Sequence, residues 1–395
     1  MKIVNSNMQY PLVALLVAIA TASSPANAQD CEVKLGAVGP MTGGAANWGL
    51  ALKAAVEFTA AMANQDGGLT MGSRKCRVKV FPVDALYTAS GGAAAANLLA
   101  SQNVQIILGP MGSPETVGLR PVAKRHGQLS FNPSYMEGAI SPEFPLGFHA
   151  TQAPRTWGPE LIKAAKVQFK FNTAMIVAPN DQAGTDPGKQ LAKMYGDLGV
   201  KTTEEYYQRG TTNFAPMVTR IMNANPDTLE MSGVPPGEAI NLTKQLMEAG
   251  FKGFIGCLGA TGAAPILQGA GGPEKLKGFY WLEMSPVDHP GILKMKADYG
   301  RVMKTPAPPD PVFAVYVLAA EVTLTAISRA GTDQDAEKVA DALRKFTPES
   351  RYMGKAGWRG KTQYGINQEL TFPAGLGMVV DGIKLPVRTI EIAAE

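Results

Sequence analysis

The chain has 395 residues, and its 37 Lys and Arg against 33 Asp and Glu leave a formal net charge of +4. That balance is too weak and too evenly spread for a nucleic-acid partner. The three histidines and three cysteines form no CxxC and match no metal-ligand spacing, so neither a metal nor a cofactor is expected.

The N-terminus reads as a secretory signal peptide over residues 1–28. Lys2 supplies a positive charge, residues 11–20 are an apolar run, and Ala26-Asn27-Ala28 is a small-x-small site. The run is far shorter than the ~20 residues of a membrane span. Ala28-Gln29-Asp30 lacks the apolar residue that a lipoprotein site places before its cysteine, here Cys31. A soluble periplasmic protein is therefore expected, with no later span in the chain. The remaining length suits two domains of ~100–200 residues each.

Residues 31–38 read as a strand, followed by a glycine-rich turn and a helix from about Leu50 to Asn64. Leu52, Val56, Thr59 and Ala63 share one face of that helix. Strand 76–84, helix 91–101, the strand 104–108, apolar but for Gln105, helix 115–126 and strand 128–131 follow. After a proline-broken stretch at 141–159 the rhythm restarts. Strands are predicted at 173–178, 200–207, 227–232 and 253–258, with helices near 186–198, 214–224 and 237–249. Strand 278–284 leads into helices near 290–304, 312–329 and 335–346, and 351–395 reads as hairpins. Two runs of alternating strands and helices imply an α/β fold with two doubly wound parallel-sheet lobes.

Three turns follow successive strands: GAVGPMTGGAANWG at 36–49, GPMGSPET at 109–116 and FNPSYM at 131–136. Ligands of doubly wound sheets bind outside the carboxyl ends of the strands, where free helix N–H groups favour anions. None of the turns is a phosphate loop or GxGxxG. Asp181, Asp186, Glu230 and Glu238 are scattered, His126 ends a helix, His149 lies near an inter-lobe linker, and no Gly-x-Ser-x-Gly elbow exists. No enzyme activity is expected.

In this order the turns, with Trp48-Gly49, DGGL at 66–69 and NPD at 225–227, resemble the periplasmic binding proteins of the branched-chain amino acid transport family over about residues 32–390. The resemblance implies a type I binding-protein fold, with an N-terminal lobe of residues 29–149 and 285–368 and a C-terminal lobe of 150–284 and 369–395. Crossovers are expected near 148–151, 282–285 and 367–372. It also implies a small-molecule ligand held between closing lobes and a monomer whose closed form is recognised by the membrane permease of an ABC transporter. By position, the family's ligand contacts fall at Trp48, Ser113, Ser134, Tyr135, Gln182, Pro235 and Ala260. Ala183 stands where a tyrosine is usual, and Pro235 where another aromatic is. The family's usual first-lobe disulfide is not expected, because Leu86 and Gly112 occupy that region. A sensory domain of the same fold and an exported enzyme on a Rossmann-like scaffold are the alternatives.

Two sharper expectations remain. Cys31 and Cys76 each open a strand eight positions before its last turn residue. Neighbouring strands are ~4.8 Å apart, within disulfide reach, so a Cys31–Cys76 bridge is predicted, with Cys257 a buried thiol. In amino-acid binders of the family an acid after the last second-lobe strand pairs with the ligand's ammonium. Here that turn, IGCLGATG at 255–262, contains none. The expected ligand is therefore carboxylated or oxygen-rich, without an α-amino group and with a flat body near Trp48 or Tyr135. The alternative is a branched-chain amino acid whose ammonium is met by Asp181, Glu230 or Glu238.

Overall fold

The computed structural model describes residues 1–2, 31–259, 262–391 and 394–395; the signal-peptide expectation and Ala260 lie outside them. In the first lobe β1 (Glu32–Gly39), β2 (Leu69–Met71), β3 (Arg74–Asp84), β4 (Ile106–Leu108), β5 (Leu129–Asn132) and β6 (Gly147–His149) alternate with helices α1 (Ala46–Gln65), α2 (Ala89–Ser101) and α3 (Ser113–His126). In the second, α4 (Pro154–Phe169) leads to β7 (Thr173–Pro179), α5 (Gln182–Asp197), β8 (Lys201–Tyr207), α6 (Ala215–Ala224), β9 (Thr228–Ser232) and α7 (Pro236–Glu248). β10 (Phe254–Gly259), α8 (Ala263–Ala270) and β11 (Gly278–Glu283) complete that run. Helices α9 (Pro290–Met303), α10 (Val312–Ala330) and α11 (Ala336–Lys345) follow. The last part holds a small hairpin, β12 (Glu349–Ser350) and β13 (Gly354–Lys355), then β14 (Gly357–Arg359) and β15 (Glu369–Thr371), and finally β16 (Ala374–Val380), β17 (Ile383–Lys384) and β18 (Arg388–Ile390).

The strands form two main sheets, in the orders β14-β15-β6-β5-β4-β1-β3-β2 and β17-β16-β11-β10-β9-β7-β8. The neighbours β3, β1, β4, β5 and β6 are parallel, as are β8, β7, β9, β10 and β11. This is the expected α/β architecture of two lobes, with antiparallel strands added at the edges. The central strands are covered on both faces, so all three residues of β4 and all four of β5 are buried. Helix α10 is 19 residues long and apolar enough to cross a membrane, contrary to the expectation that no later stretch is. Its apolar side chains are instead largely buried within the fold.

The chain passes between the sheets at residues 150–153, 284–289 and 372–373. The third crossing falls after the sequence-derived division at 368, because β15 pairs with β6 and β14 in the first sheet. Glu369 of β15 is wholly buried and accepts hydrogen bonds from Ala153 N (3.0 Å) and Thr156 Oγ1 (2.9 Å), tying two crossings together at the start of α4.

The predicted disulfide is present. Cys31 immediately precedes β1, and the parallel register Glu32↔Arg77 sets it beside Cys76 at a Cα–Cα distance of 4.5 Å. Cys257 is a buried thiol on β10. Sequence reading missed α4 and treated its start as proline-broken. Pro154 opens the helix where its missing N–H costs nothing. Pro159 in α4 and Pro187 in α5 both lie inside their helices, where each forfeits an intrahelical bond that surrounding packing outweighs.

Candidate functional site

The carboxyl ends of both parallel sheets face one cleft, which encloses about 520 Å³, part of it open to solvent. The first lobe contributes Trp48 from α1, Tyr87 after β3, Met111 and Ser113 at the start of α3, and 133–135 after β5. The second lobe contributes Ala183, Gly233 and Gly259 from the ends of β7, β9 and β10. Met284 of the second crossing and Asp310, Pro311 and Val312 at the start of α10 close it.

Ser113 is the first residue of α3, so it stands at the positive end of the helix dipole. Its Oγ lies 2.8 Å from Ser134 Oγ, and both residues are buried. Ser134 Oγ donates to Ser113 Oγ, which leaves the Ser113 hydroxyl proton to donate to an anionic oxygen at the helix N-terminus. Both turns are braced from behind. Glu115 accepts from Gly112 N (2.7 Å) and Tyr87 N (3.2 Å), and burial pushes its carboxyl up to about 7. Asn132 Oδ1 accepts from Ser134 N at 3.0 Å, and the buried His149 donates from Nε2 to Ser134 O at 2.7 Å. A carbonyl only accepts, so Nε2 carries a proton.

Aromatic rings form the walls. Trp48 and Tyr87 have centroids 5.8 Å apart, and Tyr135 meets Trp157 edge-on at 6.1 Å. Leu86 and Tyr87 are consecutive non-glycine residues in the left-handed region, at φ +55° and +56°, a conformation that costs energy and collects at functional sites. Asp84 holds this bend by accepting from Met41 N and Leu86 N, each at 2.9 Å.

The lobes touch across the cleft. Gly237 N donates to Gly44 O (3.3 Å), Glu137 N donates to Asp186 Oδ2 (2.9 Å), and Arg155 pairs with Glu137. The Arg209 guanidinium lies over the Tyr87 ring while it forks onto Asp181.

Trp48, Ser113, Ser134 and Tyr135 thus line one cavity. Gln182 does not: it opens α5 exposed to solvent, and Ala183 is the α5 residue that reaches the cleft. Pro235 caps α7 and is buried away from the cavity, which Gly233 lines instead. In each case the residue that lines the cavity is one or two positions away along the chain.

The three acids weighed as partners for a ligand ammonium lie elsewhere. Asp181 is engaged by Arg209. Glu238 is bound by the Tyr207 hydroxyl and by Gly210 N at 2.8 Å. Glu230 is wholly buried in the second lobe, accepting from Leu258 N (2.7 Å), Gly259 N (3.3 Å) and Tyr195 OH (2.8 Å). The acid that does line the cavity is Asp310, which the sequence reading missed. It belongs to the loop before α10, far along the chain from the 255–262 turn, and only the fold brings it to the cleft. Among the described residues no group of three or more His, Cys, Asp and Glu could hold a metal.

A family description, "Periplasmic binding protein", matches residues 32–372. The chain is similar to the Leu/Ile/Val-binding protein BraC3 of Rhizobium johnstonii, at 26% identity over 91% of this chain and 94% of that protein. In structure it is similar to the branched-chain amino acid transporter substrate binding protein LivJ of Streptococcus pneumoniae in complex with isoleucine. That likeness has TM-score 0.75 and 16% identity, over 91% of this chain and 99% of the other. It is also similar to an ABC transporter solute binding protein from R. palustris in complex with 4-hydroxybenzoate, with TM-score 0.75, 18% identity, 91% of this chain and 97% of that one. At such identities the structural likeness establishes the fold alone.

Proposed function

We propose that this chain, which belongs to the periplasmic binding protein family, is the extracytoplasmic solute-binding component of an ABC importer, closing its lobes on a small carboxylic acid with a flat apolar body. The single observation that carries the reading is the Ser113–Ser134 hydroxyl pair at the start of α3, set in a cavity walled by Trp48, Tyr87 and Tyr135. The hydroxyls and the helix end suit a carboxylate. The rings suit a planar body, because an aromatic face gains most from offset or edge-on contact with another. Closure would bury the ligand and present the joined lobes to the permease. The structural neighbour that holds 4-hydroxybenzoate supports this choice.

A branched-chain amino acid is the second reading, supported by the Leu/Ile/Val-binding relative from Rhizobium johnstonii and by the isoleucine-bound neighbour. A thermal-shift screen separates the two. Protein freed of co-purifying ligand should be stabilised by micromolar aromatic carboxylates. Stabilisation by leucine, isoleucine or valine alone would overturn the first reading in favour of the second. Export to the periplasm follows from the same reading and is checked by N-terminal sequencing of protein from the native host, which should begin at Gln29.

A further inference from the structure

Asp310 sits at the start of α10, where its Oδ1 accepts from Val312 N at 3.0 Å. Such a bond is what a helix start requires, and a purely structural aspartate would need nothing more. This one also lines the ligand cavity, between Met284 of the second crossing and the apolar Pro311 and Val312. It is the sole ionisable acid among the described residues lining that cavity. Its hydrogen bond uses one oxygen, so the carboxyl keeps acceptor capacity for whatever fills the cleft. Burial pushes the carboxyl up to about 7, and the Val312 N–H bond only partly opposes this. A carboxylate partly removed from water and held by a single neutral donor is poorly compensated, and a second donor restores the balance.

We propose that Asp310 is a specificity-determining residue that accepts a hydrogen bond from the ligand, so that the ligand carries a hydroxyl or amino donor in addition to its carboxylate. The inference rests on the proposed binding of a carboxylic acid in this cavity and adds what stands at the acid's other polar position. A plain carboxylic acid would leave Asp310 facing apolar ligand atoms, and removing a half-buried acceptor from water without a new partner is costly. The donor can be a phenolic hydroxyl or an ammonium. Both answer the same oxygen, and they differ in whether the ligand also neutralises its charge.

Matched pairs test this by calorimetry on ligand-free protein: benzoate against 4-hydroxybenzoate, and 4-methylpentanoate against leucine. The donor-bearing member of one pair should bind about tenfold or more tightly than its plain partner, the factor expected for a hydrogen bond to a charged group. Asp310→Asn keeps an oxygen for Val312 N but turns the cavity-facing acceptor into a donor. It should erase that preference by weakening the donor-bearing acid, while the plain acid, no longer facing an unsatisfied carboxylate, binds at least as well as to the wild type. Asp310→Ser, which also retains a helix-start acceptor, should do the same, and the melting temperature of each ligand-free variant shows that it is folded. Which pair responds tells a hydroxyl from an amine. Tight binding of benzoate with no gain from the hydroxyl, or a preference that survives Asp310→Asn, overturns the assignment and leaves the proposed function standing. Failure of all four acids to bind overturns both.

Discussion

The guanidinium of Arg209, on the second lobe, lies 4.8 Å from the ring centroid of Tyr87 on the first. Asp181 aims that guanidinium by accepting from Arg209 Nη2 at 2.8 Å. The ring is presented by a backbone at φ +56° that a tyrosine rarely adopts. The contact can exist only when the lobes are together, so it stabilises the closed form over the open one. A partly desolvated cation–π contact is worth about 0.5–2 kcal/mol, whereas the Tyr87–Trp48 ring pair lies within the first lobe and is common to both forms. Tyr87→Ala should therefore weaken ligand binding about tenfold. Small-angle scattering of the variant should show less compaction at a given ligand concentration. Unchanged affinity and unchanged compaction would remove Tyr87 from the closing mechanism.

Ser113→Ala deletes one of the two hydroxyls at the start of α3. Losing a hydrogen bond to a charged group costs about 1.5–3 kcal/mol, so affinity for a carboxylate ligand should fall at least tenfold. Ser134 Oγ, 2.8 Å away, also receives Met136 N at 3.3 Å, so the turn retains a brace. The melting temperature of the ligand-free protein should move by less than about 3 °C. A large drop in melting temperature with intact affinity would make Ser113 a packing residue instead.

The Cys31–Cys76 bridge closes a loop with a sequence separation of 45, spanning β1, α1 and the β2–β3 hairpin. Constraining the unfolded chain over such a loop is worth roughly 2–4 kcal/mol. Cys76→Ala, or reduction before a urea melt, should lower stability by that amount. The ligand affinity of the still-folded protein should be unaffected, because the bridge lies at the opening end of β1 and the cleft at its carboxyl end. Equal stability of reduced and oxidised protein would contradict this.

Most of the fold was legible because a parallel sheet buries its strands on both faces, so Ile106–Leu108 reads as an apolar run. The disulfide was legible because register between adjacent strands follows from where each begins. What hid α4 was composition: Pro154 and Pro159 read as breakers, although one opens the helix and the other is tolerated inside it. The first-lobe side of the cleft could be read from its turns, since Ser113 and Ser134 each lie in or at the end of the short turn that follows a strand. The second-lobe side could not. Gln182 and Pro235 are each within two residues of the cavity-lining Ala183 and Gly233, and turns carry no periodicity to fix such offsets. Asp310 left no local signal at all. An acid before a proline looks like a helix start, and its second role exists only because α10 begins beside the cleft.

Glu230 offers a prediction in pH. Its carboxyl is wholly buried on β9, and burial pushes it up to about 7, against the opposing bonds from Tyr195 OH, Leu258 N and Gly259 N. Unfolding returns it to the ordinary value of 4.5. Between those values the folded protein holds the proton more tightly than the unfolded chain. Folding is therefore favoured at low pH, and this contribution is lost as pH rises from about 4.5 to about 7. At about 1.4 kcal/mol for each pH unit, the loss is on the order of 3 kcal/mol at most. Glu230→Gln keeps an oxygen for Leu258 N and Gly259 N but cannot titrate. Tyr195 can turn its proton to Tyr280 OH, 2.8 Å away, and Tyr280 in turn to Thr228 Oγ1 at 2.8 Å, so the buried network survives. Urea melts across this range isolate the residue, because every other titrating group is common to both proteins. The wild type should lose stability relative to Glu230→Gln as pH rises, with the difference levelling off above pH ~8. A stability difference that stays flat with pH would mean that Glu230 is ionised throughout, held as an anion by its three donors.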